Sequence, residues 1–361
     1  MDEVRQVLDL ARWAPSGDNQ QTWRFRIDAP REFTVFAWDT REHCVYDLQG
    51  HASQIALGAL LEIVRMAASG QGLQAHAEPL VTGVAGRYEY RVRLDPAPGS
   101  ATHPLYEWIP RRAVQRRPLS TRPLTAAQRA ALEAAAGPGH HVRWFESFAE
   151  RRRMAALVFR SAWLRLTTPE AFATHASVIE WRARFSETRV PELAVGFDPV
   201  SARVSEWALR SWLRVRFANR FLGGTLFPRI QLDYLPALAC AAHFLIVAEA
   251  PPSTVDDYLA AGAAWIRLWL TCASLGLHLQ PEMTPLIFCE YARAGVPFSA
   301  VDASMRAAHA LVESVDHLLG DDALGAVVMG RIGTGSAPTS RSLRRPLDEL
   351  LIAPGAKPPG W

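Results

Sequence analysis

The sequence predicts an α+β protein built as two related halves in one chain, the second carrying a helical cover segment. Three observations lead there. In the first hundred or so residues, strand-like and helix-like runs alternate: positions 33–38 and 88–94 are rich in aromatic and branched residues, and 51–70 between them reads as one long apolar helix. A repeat then appears, because Gly58, Ala59, Gly72, Leu73 and Glu78 fall without a gap on Gly262, Ala263, Gly276, Leu277 and Glu282. Lastly, 151–230 is helical, polar and aromatic together, with Trp163, Trp181, Trp207 and Trp212, as a cover over a site would be. A length of 361 residues also fits two units at roughly 150 residues each.

Taken in order, residues 2–13 place Val4, Val7, Leu8, Leu10 and Ala11 near one helix face, and Pro15 ends that helix. A loop begins at Ala14. Residues 104–122 form an arginine-rich loop, after which Thr125 opens a helix to Ala136 through the capping-box sequence TAAQ. The most apolar stretch, 235–250, is interrupted by Pro236 and His243 and is too short to cross a bilayer; it reads as a buried helix end leading into a strand at 243–248. A long helix over 255–275 and a final strand over 327–332 precede an arginine-bearing arm.

Composition excludes several chemistries. Apolar residues make up 49% and charged residues 21%, the balance of a globular protein with a sizeable core. The formal charge is only +3, from 39 basic and 36 acidic residues, so the whole-chain balance predicts neither nucleic acid nor an anionic membrane as partner. Lys357 is the only lysine, which excludes pyridoxal phosphate, lysine aldolase and Walker P-loop chemistry. Cys44, Cys240, Cys272 and Cys289 are far apart and form no CxxC, so the expectation is a reducing, cytoplasmic setting without a zinc ribbon or disulfide framework. The N-terminal stretch carries Asp2 and Glu3 where an export signal has positive charges. His140-His141 belongs to no HxxxH or HExxH, and no metal is expected.

Three constellations are suited to binding. Residues 14–23, APSGDNQQTW, form a helix stop followed by a loop dense in hydrogen-bonding groups, in which Ser16, Asn19 and Gln21 suit the edge of a flat heterocycle. Residues 111–117, RRAVQRR, cluster guanidinium groups whose forked donors suit a phosphate, and 340–346, SRSLRRP, repeats that chemistry. Each has a plainer reading, an Asx-turn loop for the first and solvated charge runs for the others.

Together these stretches resemble the FMN-dependent nitroreductase family. LARWAPSGDNQQTWRF is similar to its APSxxNxQPW signature, RRAVQRR to its RRSxR element, and SLGLHLQPEM with SRSLRRPLDEL to its helix-end loop and closing arm. Thr22 stands in place of the signature proline and Ala113 in place of a Ser or Thr. The serine-asparagine loop precedes the arginine element, the order of tandem members in which two nitroreductase-like domains are fused. The resemblance therefore implies a nitroreductase-like α-β-α fold duplicated as a pseudo-dimer, with halves at 1–103 and 104–361 and a lid insertion at about 151–230. It implies one FMN between the halves, with Pro15, Ser16, Asn19 and Gln21 at the ring and Arg111, Arg112 and Gln115 at the phosphate or ring edge. Gln280, Glu282, Met283 and Thr284 would lie in the helix-end loop near N5, and Arg344 and Arg345 would close on the phosphate. No catalytic side chain is implied. The implied activity passes hydride from NADH or NADPH through the flavin to a nitroaromatic, quinone or other conjugated small molecule. The alternative is a protein that binds or sequesters FMN with little turnover, and Trp207 or Trp212 lying on the flavin would favour it. Such a tandem chain is expected to be a monomer in the cytoplasm, with a small-molecule substrate and no nucleic-acid or membrane partner.

Overall fold

The protein was examined as a computed structural model, which describes residues 3–221, 223–359 and 361. The chain is mixed α and β. Helix α1 (Glu3–Ala11) buries Val4, Val7, Leu8 and Ala11. Strands β1 (Trp23–Ala29) and β2 (Glu32–Trp38), helix α2 (His51–Ser69) and strands β3 (Leu73–Leu80) and β4 (Arg87–Pro96) follow. The four strands make one antiparallel sheet in the order β1-β2-β4-β3. Strand β1, to which the sequence reading assigns no element, has the alternation Trp23, Phe25, Ile27 against Arg24, Arg26, Asp28 that a half-buried strand requires.

Beyond the arginine-rich loop come α3 (Ala126–Ala136), β5 (His140–Phe145), α4 (Phe148–Thr167) and α5 (Pro169–Val178). The capping box at Thr125 and Gln128 forms as its sequence dictates. Next are α6 (Pro199–Ala208), α7 (Trp212–Phe221), β6 (Ala242–Ala248), α8 (Val255–Ser274), β7 (His278–Pro281), α9 (Thr284–Ala294), α10 (Asp302–Leu319) and β8 (Ala326–Gly333). The second sheet, also antiparallel, runs β5-β6-β8-β7. Its order matches that of the first sheet strand for strand, with α8 following β6 as α2 follows β2.

The two sheets meet through α2 and α8. A β-carbon on Gly58 of α2 would overlap the carbonyl oxygen of Leu259, and one on Gly262 of α8 would overlap the carbonyl oxygen of Ile55. The contact is reciprocal at the same offset that relates the two sequences, as across a two-fold axis. Gly72 and Gly276, the first residues to turn left-handed after each helix, have φ of +66° and +69°. Residues 48–69 are long and apolar enough by length and composition to cross a membrane, but most of that stretch is buried inside the protein.

One expected boundary moves. Helix α4 buries Met154, Ala155, Leu157, Val158 and Leu164 in the core shared with α9 and α10, so 151–167 belongs to the body and the cover begins at α5. The closing arm crosses to the other half: Leu347 and Leu350 join the first core, and Leu351 pairs with Phe25 of β1. Because the crossing admits no side chain, Gly58→Ala or Gly262→Ala should destabilise the protein by about 1–3 kcal/mol. Urea unfolding would read this as a lower midpoint with unchanged m-value, and an unchanged midpoint would contradict so close an approach.

Candidate functional site

The loop after α1 is held in a conformation that few side chains adopt. Asp18, Asn19 and Gln21 have φ of +49°, +63° and +51°, three of the five left-handed non-glycine residues described. Ser16 Oγ accepts from the Gln21 backbone N–H at 3.0 Å. The Asn19 amide donates to the carbonyls of Glu187 and Arg189 at 3.1 and 3.2 Å, and the Gln21 amide donates to Asn19 and Glu187 at 3.0 and 2.7 Å. Gln21 Oε1 accepts from the Arg345 backbone N–H at 2.9 Å. The amide N–H groups of Asn19 and both ends of the Gln21 amide thus tie the loop to the cover and to the closing arm, while Asn19 Oδ1 is buried without a partner. Strain concentrated in one loop and held by such a network is a mark of functional sites.

Beside this loop lies a cavity of about 410 Å³, within the range of small-molecule sites. Pro15 and Ser16 reach it from the first half, and Gln280, Met283 and Thr284 reach it from the second. Ile55 and Ala56 of α2 and Trp265 and Trp269 of α8 form its walls, and Ile179 and Val190 of the cover line it too. Met283 and Thr284 stand where α9 begins, and no side chain caps that helix, so its first N–H groups are available to a ligand. Gln280 Oε1 is buried with no hydrogen-bond partner.

The polar part of the wall was not anticipated from sequence. The Tyr46 hydroxyl and His175 Nε2 share a hydrogen bond at 3.0 Å, and burial, followed by the charge of Arg165, pushes His175 down to about 3. Burial likewise raises Tyr46 well above an ordinary phenol. Asp18 is raised by burial, with Arg116 and Arg165 opposing the shift. Burial lowers Arg116 to about 10, although Asp18 acts the other way. Arg165 is paired through both oxygens of Asp233 at 2.9 and 3.0 Å. Asp18 and Arg116 belong to the 14–23 and 111–117 stretches singled out from sequence, but nothing local marks Tyr46, Arg165 or His175, which only the fold joins.

Behind Pro15 lies a second feature. Buried Arg112 donates to the Trp13 carbonyl at 2.6 Å and sits 4.3 Å from the Trp269 ring centroid, while buried Arg344 donates to the Ala14 carbonyl at 2.9 Å. Burial, then the charges of Arg344 and Arg341, holds Arg112 well below an ordinary guanidinium, and burial, then Arg341 and Arg12, lowers Arg344 to about 9. No carboxylate pairs with either among the described residues, and Arg112 Nε is buried without an acceptor. Buried charge without a counter-ion is unfavourable, and here backbone carbonyls are the only hydrogen-bond acceptors that meet the two guanidinium groups among the described residues.

Four expected contacts go elsewhere. Arg111 is exposed and pairs with Glu107 at 3.3 Å, because its neighbour Arg112 takes the inward direction. Gln115 is consumed by Ser336 O at 2.7 Å and the Arg117 backbone N–H at 3.1 Å. Arg345 points its side chain to Glu349 at 3.1 Å. Glu282 sits in a closed core group, accepting from His243 at 2.9 Å and Arg331 at 2.8 Å. Trp207 and Trp212 do not line the cavity either; Trp207 is exposed and Trp212 packs on Phe172 with ring centroids 5.5 Å apart.

No protein-family model and no curated protein sequence matches the chain. Among solved structures it is similar to a nitroreductase-like family protein from Bacillus cereus, at 12% identity over 68% of this chain and 94% of that one, with a TM-score of 0.36. It is also similar to the FMN-dependent nitroreductase NfnB from Mycobacterium smegmatis, solved in complex with NADPH, at 15% identity over 67% and 94% of the two chains and a TM-score of 0.35. A nitroreductase with bound FMN from Bacteroides fragilis NCTC 9343 gives 12% identity, 65% and 90% coverage and a TM-score of 0.35. Likenesses this remote assign neither a fold nor a chemistry.

Two buried histidines set opposite pH dependences. His175 is lowered from 6.5 to about 3, so the unfolded chain binds a proton that the native one refuses, and stability falls as pH drops from 6.5 towards 3. His243 has acceptors on both ring nitrogens, Glu282 and Ala237 O. Burial opposes its charge, but Glu282 outweighs that and raises His243 to about 10. Its stabilisation is complete below 6.5 and lost as pH rises through 10. His175→Asn should flatten the acid limb of a stability–pH curve and His243→Gln the alkaline limb, read by urea unfolding across the range. Unaltered limbs would contradict these assignments.

Proposed function

We propose that the chain is an FMN-dependent oxidoreductase built as a tandem duplication, with one flavin in the cavity between its halves. The observation that carries this reading is the two-sided construction of the site: the Pro15-Ser16 loop of one half and the Gln280-Met283-Thr284 loop of the other meet on one cavity, and the buried, carboxylate-free Arg112 and Arg344, which do not line it, hold the Trp13 and Ala14 carbonyls behind Pro15. The matching sheet orders and the reciprocal Gly58 and Gly262 contacts support the duplication.

The residues fit the group. Arg112 and Arg344 would hold the phosphate, Gln280 Oε1 offers a free acceptor to the ring edge, and the start of α9 offers N–H donors to a ring carbonyl. Once bound, FMN supplies hydride chemistry, from NADH or NADPH to a nitroaromatic, quinone or other conjugated small molecule. The protein's own part is to position and to exclude water: the Trp265 and Trp269 walls keep the cavity apolar, and the Tyr46–His175 pair remains neutral, leaving a hydroxyl proton at the wall. A second reading, flavin retention with little turnover, is favoured by the amide locks from Asn19 and Gln21 to the cover. Anaerobic NADPH or NADH distinguishes the two, since an oxidoreductase loses its yellow absorbance and a retaining protein keeps it.

The purified protein should carry about one FMN per chain. Arg112→Met and Arg344→Met should each weaken FMN binding by about 1.5–3 kcal/mol, roughly 10- to 150-fold, whereas Arg111→Met should leave it unchanged. Equal affinities in a fluorescence titration would show that the phosphate lies elsewhere. Because both sides of the site are covalently joined, the protein should be a monomer whose FMN affinity is constant over a hundredfold dilution, about the span a light-scattering series covers. A dimer that released flavin on dissociating would overturn the intramolecular site.

A further inference from the structure

The near-neutral charge of the whole chain conceals a strongly basic segment on the outside of the cover. Residues 199–229 hold Arg203, Arg210, Arg214, Arg216, Arg220 and Arg229 but one acid, Glu206, a charge of +5 within a chain whose total is +3. Glu206 is shared between Arg182 and Arg210 at 3.3 and 3.0 Å. Among the described residues no carboxylate pairs with Arg203, Arg214, Arg216 or Arg220.

Beside these arginines lies an apolar surface. Helix α7 exposes Leu213, Phe217 and Phe221, whose four-residue spacing puts them in one stripe, and Leu213 and Phe221 are 71% and 64% exposed. Helix α6 exposes Val200, Val204 and Trp207 in the same way. Arg214 joins the two helices, its guanidinium 5.4 Å from the Trp207 ring centroid. After α7, the Gly224 N–H bonds back to the Ala218 carbonyl at 2.9 Å, a turn that leads into exposed Leu226 and Phe227. Large apolar side chains on a soluble surface are normally scattered, and two adjacent helices that both expose stripes among unpaired arginines are not.

We propose that residues 199–229 dock the protein on an anionic lipid bilayer, with the apolar stripes at the acyl boundary and the arginines on the headgroup phosphates. Helices that lie in a membrane interface combine these two faces. A second copy of the chain is the poorer occupant, because a symmetric contact through this surface would set its arginines against themselves. A nucleic acid would satisfy the arginines but leave the stripes facing a polyanion. The proposal is independent of the flavin reading. It revises the expectation that the chain has no membrane partner, which rested on total charge and on the lack of a spanning stretch at 235–250 and did not weigh one local surface.

Co-sedimentation of the full chain with unilamellar vesicles tests it, comparing phosphatidylcholine alone with phosphatidylcholine containing phosphatidylglycerol. Binding is expected to the anionic vesicles, weakening with salt, and not to the neutral ones. The triple change Arg203→Gln, Arg216→Gln and Arg220→Gln should weaken binding roughly 100-fold, at about one unit of phosphate attraction per exposed arginine. Leu213→Ser with Phe217→Ser and Phe221→Ser should remove the part of the binding that survives high salt. Three outcomes would each overturn the proposal: no binding to anionic vesicles at low salt, binding unchanged in both variants, or a solution dimer that either variant converts to monomer.

Discussion

The crossing of α2 and α8 sets the positions of everything else. Two apolar helices approach until each presents a glycine to the other's backbone, Gly58 to Leu259 and Gly262 to Ile55. No rotation of side chains can substitute for the missing β-carbons, so the separation and angle of the helices follow from two residues. Each helix carries its own sheet, and the crossing therefore determines how the sheets face. It also determines the cavity: Ile55 and Ala56 from one helix and Trp265 and Trp269 from the other meet beside the crossing, small residues opposite large ones. The loops that close the cavity, 14–22 and 280–284, are the chain's exits from elements attached to these two helices.

Two groups of buried charge show what this framework does with arginine. In the His243–Glu282–Arg331 group, one carboxylate lies between two cations and each ring nitrogen of His243 has an acceptor, so the burial is compensated within the protein. Arg112 and Arg344 lack that compensation. They bind the carbonyls of Trp13 and Ala14, which follow the end of α1 and carry the partial negative charge of its terminus. A partial charge offsets only part of a full one, so burial lowers both of these guanidinium groups, whereas the full charge of Glu282 outweighs burial at His243 and raises it.

What could be read from sequence followed from how local the determining forces were. Helices α2 and α8 were legible because the crossing imposes the same small residues on both, and α3 because its capping box is complete within four positions. Helix α4 falls in the cover when 151–230 is read as one polar and aromatic helical stretch with Trp163, Trp181, Trp207 and Trp212, although Met154, Leu157, Val158, Ser161 and Leu164 carry the spacing of a core face. In the site, the residue types were legible and the directions were not. Arg111 and Arg112 are adjacent and chemically identical, yet one faces solvent over Trp108 and the other is buried over Trp269. Gln115 and Glu282 have the right chemistry for a ligand but find nearer partners in the fold. Tyr46 and His175 left no signal, since their contact spans two segments with no sequence relation.

The cover and the loop behave as one mechanical unit, and this links access to the cavity with backbone strain. Segment 185–190 is held by amide donors from Asn19 and Gln21, two of the three left-handed residues in the loop. Those bonds help to hold the unfavourable φ values, and the φ values aim the amides at the cover. Ser16, which lines the cavity and anchors Gln21 through its hydroxyl, sits at the junction. Ser16, the amide bonds and the 185–190 segment therefore form one connected hydrogen-bonded group at the edge of the cavity.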